Sequence, residues 1–153
     1  MLVADICTKD VVTAPLGEPL LNTARKMRER HVGAVVIVEE REGMTVPVGV
    51  VTDRDVVVEA VVPKLDQIAT MTVDDLLSRD IVTVNAGVNV DRALEIMSDA
   101  GVRRAPVVDG RGALVGVVTV DDLIETLAAR LIGVVGVIRK QQASERKMLA
   151  SGS

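Results

Sequence analysis

VGVVTDRD (residues 48–55) and VGVVTVDD (residues 115–122) are identical at six of eight positions and lie 67 residues apart. Each is an apolar, β-branched run that ends in Thr and is followed three places on by Asp. A strand opening directly into a helix has this form, with Thr at the N-cap and the acid one turn in, beside the positive helix end. Two copies in register therefore mean two copies of a strand-to-helix unit. The repeat extends backwards: VADICTKDVVTA (3–14) aligns with VDDLLSRDIVTV (73–84) at an offset of 70, and the register holds through Met27 with Met97 and Val38 with Val108. The turn before the last strand is three residues shorter in the second copy, which changes the offset from 70 to 67. A period this long with two copies argues against a solenoid and for two small units packed about a pseudo-twofold axis.

Each copy reads as β-α-β-β-α. Residues 11–14 and 81–84 are short β-branched runs. Leu20, Ala24 and Met27, like Val90, Ala93, Leu94 and Met97, fall on the stripe of a helix with one buried face. Asn89 suits an N-cap and Pro19 an early helical position. AVVIVE (34–39) and APVVD (105–109) read as strands, and Gly43 with Pro47, or Asp109-Gly110-Arg111-Gly112, turn the chain before the final strand of each copy. The final helices begin after Thr52 and Thr119. The expected fold is mixed α/β (α+β), with residues 1–62 as first unit, 63–72 as connector, 73–131 as second unit and 132–153 as helix end and tail. Thr72 is expected to cap a short helix leading into the second unit.

The 153 residues are 48% hydrophobic and 26% charged, with one Cys, one His and no Phe, Tyr or Trp. One domain's length of such a chain buries a core without disulfides or metal. Eighteen Lys and Arg against 22 Asp and Glu give a net charge of -4, which argues against bulk electrostatic binding of nucleic acid. Without aromatic rings there is no base-stacking platform, so a planar ligand must lie between aliphatic side chains. Cys7 alone makes no disulfide or CxxC site, and His31 alone cannot supply a common catalytic zinc site; no metal is expected, and a reducing cytoplasm is the natural compartment. MLVADICTKD (1–10) has neither the charged region nor the long apolar region of a signal peptide. The longest apolar stretch, 124–138, is broken by Glu125 and Arg130 and is too short to span a bilayer.

The two Thr-x-x-Asp pairs, Thr52 with Asp55 and Thr119 with Asp122, admit two readings. One is a helix cap and nothing more. The other is a ligand site: a helix N-terminus after a strand receives a phosphate, and a carboxylate one turn in accepts from the vicinal hydroxyls of a ribose. Arg103 and Arg104, just before a buried strand, are either solvated or aimed at an anion, since charge there is costly otherwise. The first copy has Gly33 and Ala34 at the matching positions, which favours a phosphate site built by one copy only. DGRGALVG (109–116) misses the dinucleotide fingerprint by one position and sits between strands, so it reads as a hairpin turn. His31 reads as a partner for a helix C-terminus. No nucleophile has a base to complete a catalytic set. RKQQASERK (139–147) has no aromatic interleaving and reads as a solvated helix end or tail rather than a nucleic-acid site.

Two tandem β-α-β-β-α units, each with a strand of the form xxPVVD or its relic and a G-h-h-T-x-x-D helix start, resemble a cystathionine β-synthase (CBS) domain pair, or Bateman module, over roughly residues 1 to 131. The resemblance implies a regulatory sensor that binds adenine nucleotides (AMP, ADP, ATP or NAD(H)) or an S-adenosyl compound as a regulatory ligand, with no catalysis, no cofactor, no nucleic acid and no membrane. It implies two composite clefts. In the first, Thr52 and Asp55 would hold the ribose and Arg54 would face phosphate, against a wall of Asp80, Ile81, Val82, Val102, Arg103, Arg104 and Pro106. In the second, Thr119 and Asp122 would face Val11, Val12, Val32 and Gly33, a wall with no charge of its own. It also implies a homodimer, to which the apolar segment 123–138 would contribute, and an effector protein that receives the signal. The alternative is a ligand-free dimerisation or interaction scaffold.

Overall fold

The computed structural model describes residues 1–77 and 80–152. Helix α1 (Val3–Ile6) precedes strand β1 (Thr13–Pro15), helix α2 (Leu20–Arg30), strands β2 (Ala34–Arg41) and β3 (Met44–Thr52) and helix α3 (Asp53–Asp55). The last runs on through a π-helical turn (Val56–Val61), helix α4 (Val62–Lys64) and a 3-10 turn (Leu65–Thr70). A second 3-10 turn (Val73–Leu76) opens the second repeat, followed by β4 (Val84–Asn85), α5 (Val90–Ala100), β5 (Arg104–Val108), β6 (Leu114–Thr119) and α6 (Val120–Ser151). In sheets β1-β2-β3 and β4-β5-β6 alike, the first pair is parallel and the second antiparallel. A parallel pair needs a crossover, which α2 and α5 provide. Even the ladder irregularity repeats, between Ile37 and Val38 and between Val107 and Val108.

The local signals act where the sequence puts them. Asn89 Oδ1 accepts from the Arg92 N–H at 2.8 Å and caps α5, and Gly101 closes that helix with φ of 67°, a left-handed position that costs glycine nothing. His31 holds the equivalent left-handed place after α2. Pro19 is the N-cap of α2 rather than a residue within its first turn. Asp109 Oδ1 accepts from the N–H groups of Arg111 and Ala113 at 2.9 and 3.0 Å. These two bonds hold its carboxyl below the usual carboxylate range and set the β5–β6 turn.

The cores are not contiguous in sequence. Leu20, Met27, Val35, Ile37, Val51 and Ala60 of the first repeat bury Met71 and Val73 from the start of the second. In exchange, Val3 is wholly buried among Val84, Val90, Met97, Val107, Val118 and Leu123. Backbone hydrogen bonds fix both exchanges. The Val3 N–H donates to Val88 at 2.9 Å, and Thr8 and Val117 exchange both their bonds at 2.9 Å; in return Leu20 donates to Met71 and Val73 to Glu18, each at 2.9 Å. Each lead-in segment crosses a glycine of the other repeat's last strand: Cys7 and Thr8 lie against Gly116, and Leu77 against Gly49. Burial pushes the Cys7 thiol above its ordinary range.

One buried polar atom is out of place. Thr23 on α2 is fully buried and its Oγ1 has no hydrogen-bond partner among the described residues, while the second repeat has Ala93 at the matching position, also fully buried. A buried hydroxyl without a partner costs about 1 to 3 kcal/mol. Thr23→Val, which keeps the shape and removes the donor, should therefore raise the stability in urea by about 1 kcal/mol. A loss of stability would show that the hydroxyl is satisfied.

Helix α6 has 32 residues and so is about 48 Å long. Its first turns belong to the second unit, with Leu123 in the core and Arg130 3.5 Å from Asp91 on α5. Beyond them Leu131, Ile132, Val134, Val135, Val137 and Ile138 are all exposed. The helix continues unbroken to Ser151, through the stretch 132–153 expected to be helix end and tail. Among the described residues no helix is long and apolar enough to cross a membrane.

Candidate functional site

Where β3 and β6 meet, the two sheets enclose a cleft of about 240 Å³. One wall is the segment before β1 (Asp10, Val11, Val12) together with Val32, Gly33, Ala34, Val36 and Val50; across from it stand Arg104 and Pro106 of β5 and Val117 of β6. Alternation along strands explains the set: Ala34 and Val36, Arg104 and Pro106 are each two apart, so each pair shares a face. Arg103, one residue off that face, is exposed and lies outside the cleft lining.

The walls are aliphatic and carry one buried-side charge. Among the described residues only Lys26 and Arg104 are cations that are half-buried rather than exposed. Lys26 is accounted for, since its Nζ donates to the Thr13 carbonyl at 3.0 Å and lies 3.7 Å from Glu18. The Arg104 guanidinium has no ion pair and no hydrogen bond to any described residue. The cleft's only acid, Asp10, does not neutralise it; Asp10 is turned to solvent and to Arg30 at 3.4 Å. A guanidinium presents a planar fork of donors, so the cleft offers an apolar slot with an unmatched anion receptor on one side.

Both Thr-Asp pairs are reciprocal caps. The Thr52 N–H donates to Asp55 Oδ2 at 2.9 Å and the Asp55 N–H to Thr52 Oγ1 at 3.1 Å. The corresponding distances for Thr119 and Asp122 are 2.9 and 3.2 Å. In each carboxylate Oδ1 has no hydrogen-bond partner among the described residues. Thr52 and Thr119 follow the cleft residues Val50 and Val117 by two and so lie on the same faces of β3 and β6. The helix starts are pinned alike, by the Asp53 N–H to the Gly33 carbonyl at 3.0 Å and the Val120 N–H to the Arg103 carbonyl at 2.8 Å.

Of the residues expected to form the second cleft, Val11, Val12, Val32 and Gly33 line this cavity together; of those expected in the first, Arg104 and Pro106 line the same cavity. The wall without a charge of its own thus faces one. Val102 packs on the second core, and its N–H donates to the Met97 carbonyl at 3.0 Å. Arg54 and Asp80 are exposed, and Ile81 and Val82 are half-buried; all four lie outside this lining, as do Thr52, Asp55, Thr119 and Asp122 at the ends of its strands. Asp10, Ala34, Val36, Val50 and Val117 were not anticipated. Counting back by two from Thr52 and Thr119 would have found Val50 and Val117.

The CBS domain family matches residues 3–61 and 73–129. An uncharacterised protein of Methanopyrus kandleri is 36% identical over 123 residues, 80% of this chain and 61% of that protein, so the chain spans under two thirds of that relative's length. Hypoxic response protein 1 of Mycobacterium tuberculosis is 32% identical over 128 residues, 84% of this chain and 86% of its own. A crystal structure of Hypoxic Response Protein I with two coordinated zinc ions superposes with a TM-score of 0.69 at 30% identity, covering 82% of this chain and 98% of that one. The CBS domain pair of protein MJ0100, in complex with 5'-methylthioadenosine and S-adenosyl-L-methionine, superposes with a TM-score of 0.69 at 25% identity, covering 85% and 98%. Among the described residues of the present chain, no three His, Cys, Asp or Glu side chains converge as a metal site would require.

Proposed function

The chain belongs to the CBS domain family, as two tandem units, and from that premise we propose that it is a regulatory module that binds an anionic adenosine compound in the cleft between the units and does no chemistry on it. Arg104 is the observation that carries this reading: a half-buried cation with no partner among the described residues, set in an otherwise aliphatic slot. The adenine lies between the valine faces of β2, β3 and β6, where its burial contributes on the order of 2 kcal/mol. The anionic group, a phosphate of AMP, ADP, ATP or NAD(H) or the carboxylate of an S-adenosyl compound, takes the guanidinium of Arg104. The ribose hydroxyls take the free Oδ1 of Asp55 or Asp122. The neighbour crystallised with 5'-methylthioadenosine and S-adenosyl-L-methionine supports an adenosine ligand. In this reading the module works in the cytoplasm as a homodimer, and the ligand's presence is passed to an effector protein.

Calorimetric melting tests it directly, and the lack of Trp and Tyr rules out intrinsic fluorescence from those residues. At 100 times its dissociation constant a ligand should add about 2.7 kcal/mol of stability. AMP, ATP, NAD and S-adenosyl-L-methionine are compared with 5'-methylthioadenosine, which has no anionic group. The expected result is stabilisation by at least one anionic compound and much less by methylthioadenosine at equal concentration. Equal stabilisation would remove the role of Arg104, and none from any compound would leave a ligand-free scaffold.

A further inference from the structure

The turns of the two antiparallel hairpins, one from each repeat, border a second, open cavity of about 600 Å³. Arg41, Glu42, Met44 and Val46 come from the β2–β3 hairpin, and Arg111 and Gly112 from the turn between β5 and β6. This groove shares no lining residue with the cleft; on β3, Val46 and the cleft residue Val50 are four positions apart, about 13 Å along a strand. Met44 and Val46, two apart, face the same way, and both are half-buried against the groove. Most charges around it already have partners. Arg41 is paired with Glu39, Glu40 accepts from Thr45 Oγ1 at 2.8 Å, and Asp109, the acid that feels the charge of Arg111, is held by the N–H groups of its own turn. Two are left over. The Glu42 carboxylate and the Arg111 guanidinium line one cavity with opposite charge, yet form no ion pair or hydrogen bond with each other or with any other described residue. Glu42 also holds its place against local preference. With φ of 51° before Gly43 at 77°, it takes the first central position of a two-residue hairpin turn, where Asn, Asp and Gly are favoured. A side chain kept at such a position is a pointer to its use.

From this we infer that the groove between the hairpin turns binds a free α-amino acid with an aliphatic side chain. Its carboxylate takes the planar donor fork of Arg111, its ammonium takes the carboxylate of Glu42, and its side chain covers Met44 and Val46. A ligand with one charge alone leaves the other groove charge unmatched. Once bound, the amino acid joins the turn of one repeat to the turn of the other. Neither Arg104 nor an adenosine compound takes part, so the inference does not rest on the proposed function.

The six methionines allow a local readout by NMR, because Met44 is the one that lines the groove. The full chain is labelled at its methionine methyl groups, the Met44 signal is identified by its loss in Met44→Leu, and leucine is titrated to about 20 mM, where a millimolar ligand saturates. The expected result is a saturating shift centred on the Met44 methyl. N-acetyl-leucine, which lacks the ammonium, and leucinamide, which lacks the carboxylate, should each bind at least about tenfold more weakly. The same loss is expected for leucine on Arg111→Gln and on Glu42→Asn, and the second of these changes suits the turn and so keeps the hairpin formed. A Met44 signal that leucine does not move overturns the site. Equal binding of leucine and N-acetyl-leucine, or unchanged binding to Glu42→Asn, would leave only an anion on Arg111 and overturn the amino acid as its occupant. Unchanged binding to Arg111→Gln would overturn it equally, since the carboxylate would then have another partner.

Discussion

Arg104→Ala should weaken binding of the anionic adenosine compound tenfold to a hundredfold while the protein melts no earlier than the parent. The first half follows from the bond removed: a hydrogen-bonded contact between a guanidinium and an anion contributes about 1.5 to 3 kcal/mol, and every 1.4 kcal/mol is tenfold in affinity. The second follows from what Arg104 lacks in the free protein. With no carboxylate or carbonyl of the described residues holding its guanidinium, the half-buried side chain bears a desolvation cost that none of them offsets. Arg104→Met, which keeps the stem packed, should be at least as stable as the parent. Isothermal titration gives the affinity and calorimetry the melting point. Arg103→Ala is the internal control, since Arg103 is exposed and outside the cleft, and its affinity should stay within about twofold. If Arg103→Ala is the damaging change, the ligand sits on the other side of β5.

The largest loss of stability is expected at Gly116. A Cβ there would stand 2.7 Å from Cys7 Sγ and 2.8 Å from the Thr8 carbonyl oxygen, and the Thr8 backbone cannot retreat because it exchanges two hydrogen bonds with Val117. Gly116→Val must then either overpack the contact or release the N-terminal segment from β6. Overpacking costs about 1 to 3 kcal/mol and sometimes more; with backbone as the obstacle the upper figure applies, lowering the melting temperature by roughly 6 to 12 °C for a chain of this length. Gly49 is the comparison. There the obstacle is the Leu77 side chain, which can turn aside, so Gly49→Ala should cost less than Gly116→Ala. Equal losses would mean that the two lead-in segments are held equally rigidly.

Much of this architecture is local chemistry repeated, and so it is legible in the chain. The strand, Thr and Asp of each VGVVT run, the Asn89 cap and the Asp109 turn are each decided within four residues, and each forms as those residues require. The double β-α-β-β-α unit and its family follow from their repetition. What period and propensity do not carry is which copy a segment serves. Val3 and Val73 read as equivalent apolar residues at the head of equivalent repeats, and nothing near either of them says that each is buried in the other copy's core. In the candidate cleft the residue types are legible in the sequence more than their grouping. Valines 11, 12 and 32 with Gly33, and Arg104 with Pro106, were assigned to opposite clefts, yet line one. Adjacent arginines look like one cationic patch in a sequence, whereas a strand sends neighbours to opposite faces. The exposed apolar segment of α6 is visible in composition, but its continuous helix is a matter of the residues on either side lacking any stop.

The exchange of lead-in segments also sets an order of events at the ribosome. Residues 1–8 emerge before the rest of the described chain, but the groups that receive them, Val88 and Val117, lie in its second half. The first sheet in turn lacks Met71 and Val73 until synthesis has passed the connector. The first half therefore does not close during translation of its own repeat. Chain elongation at roughly 5 to 20 residues per second leaves the valine-rich strands β2 and β3 without Met71 and Val73 for roughly 1 to 4 seconds. The second unit, whose donor segment is already made, waits only for its own last strand β6.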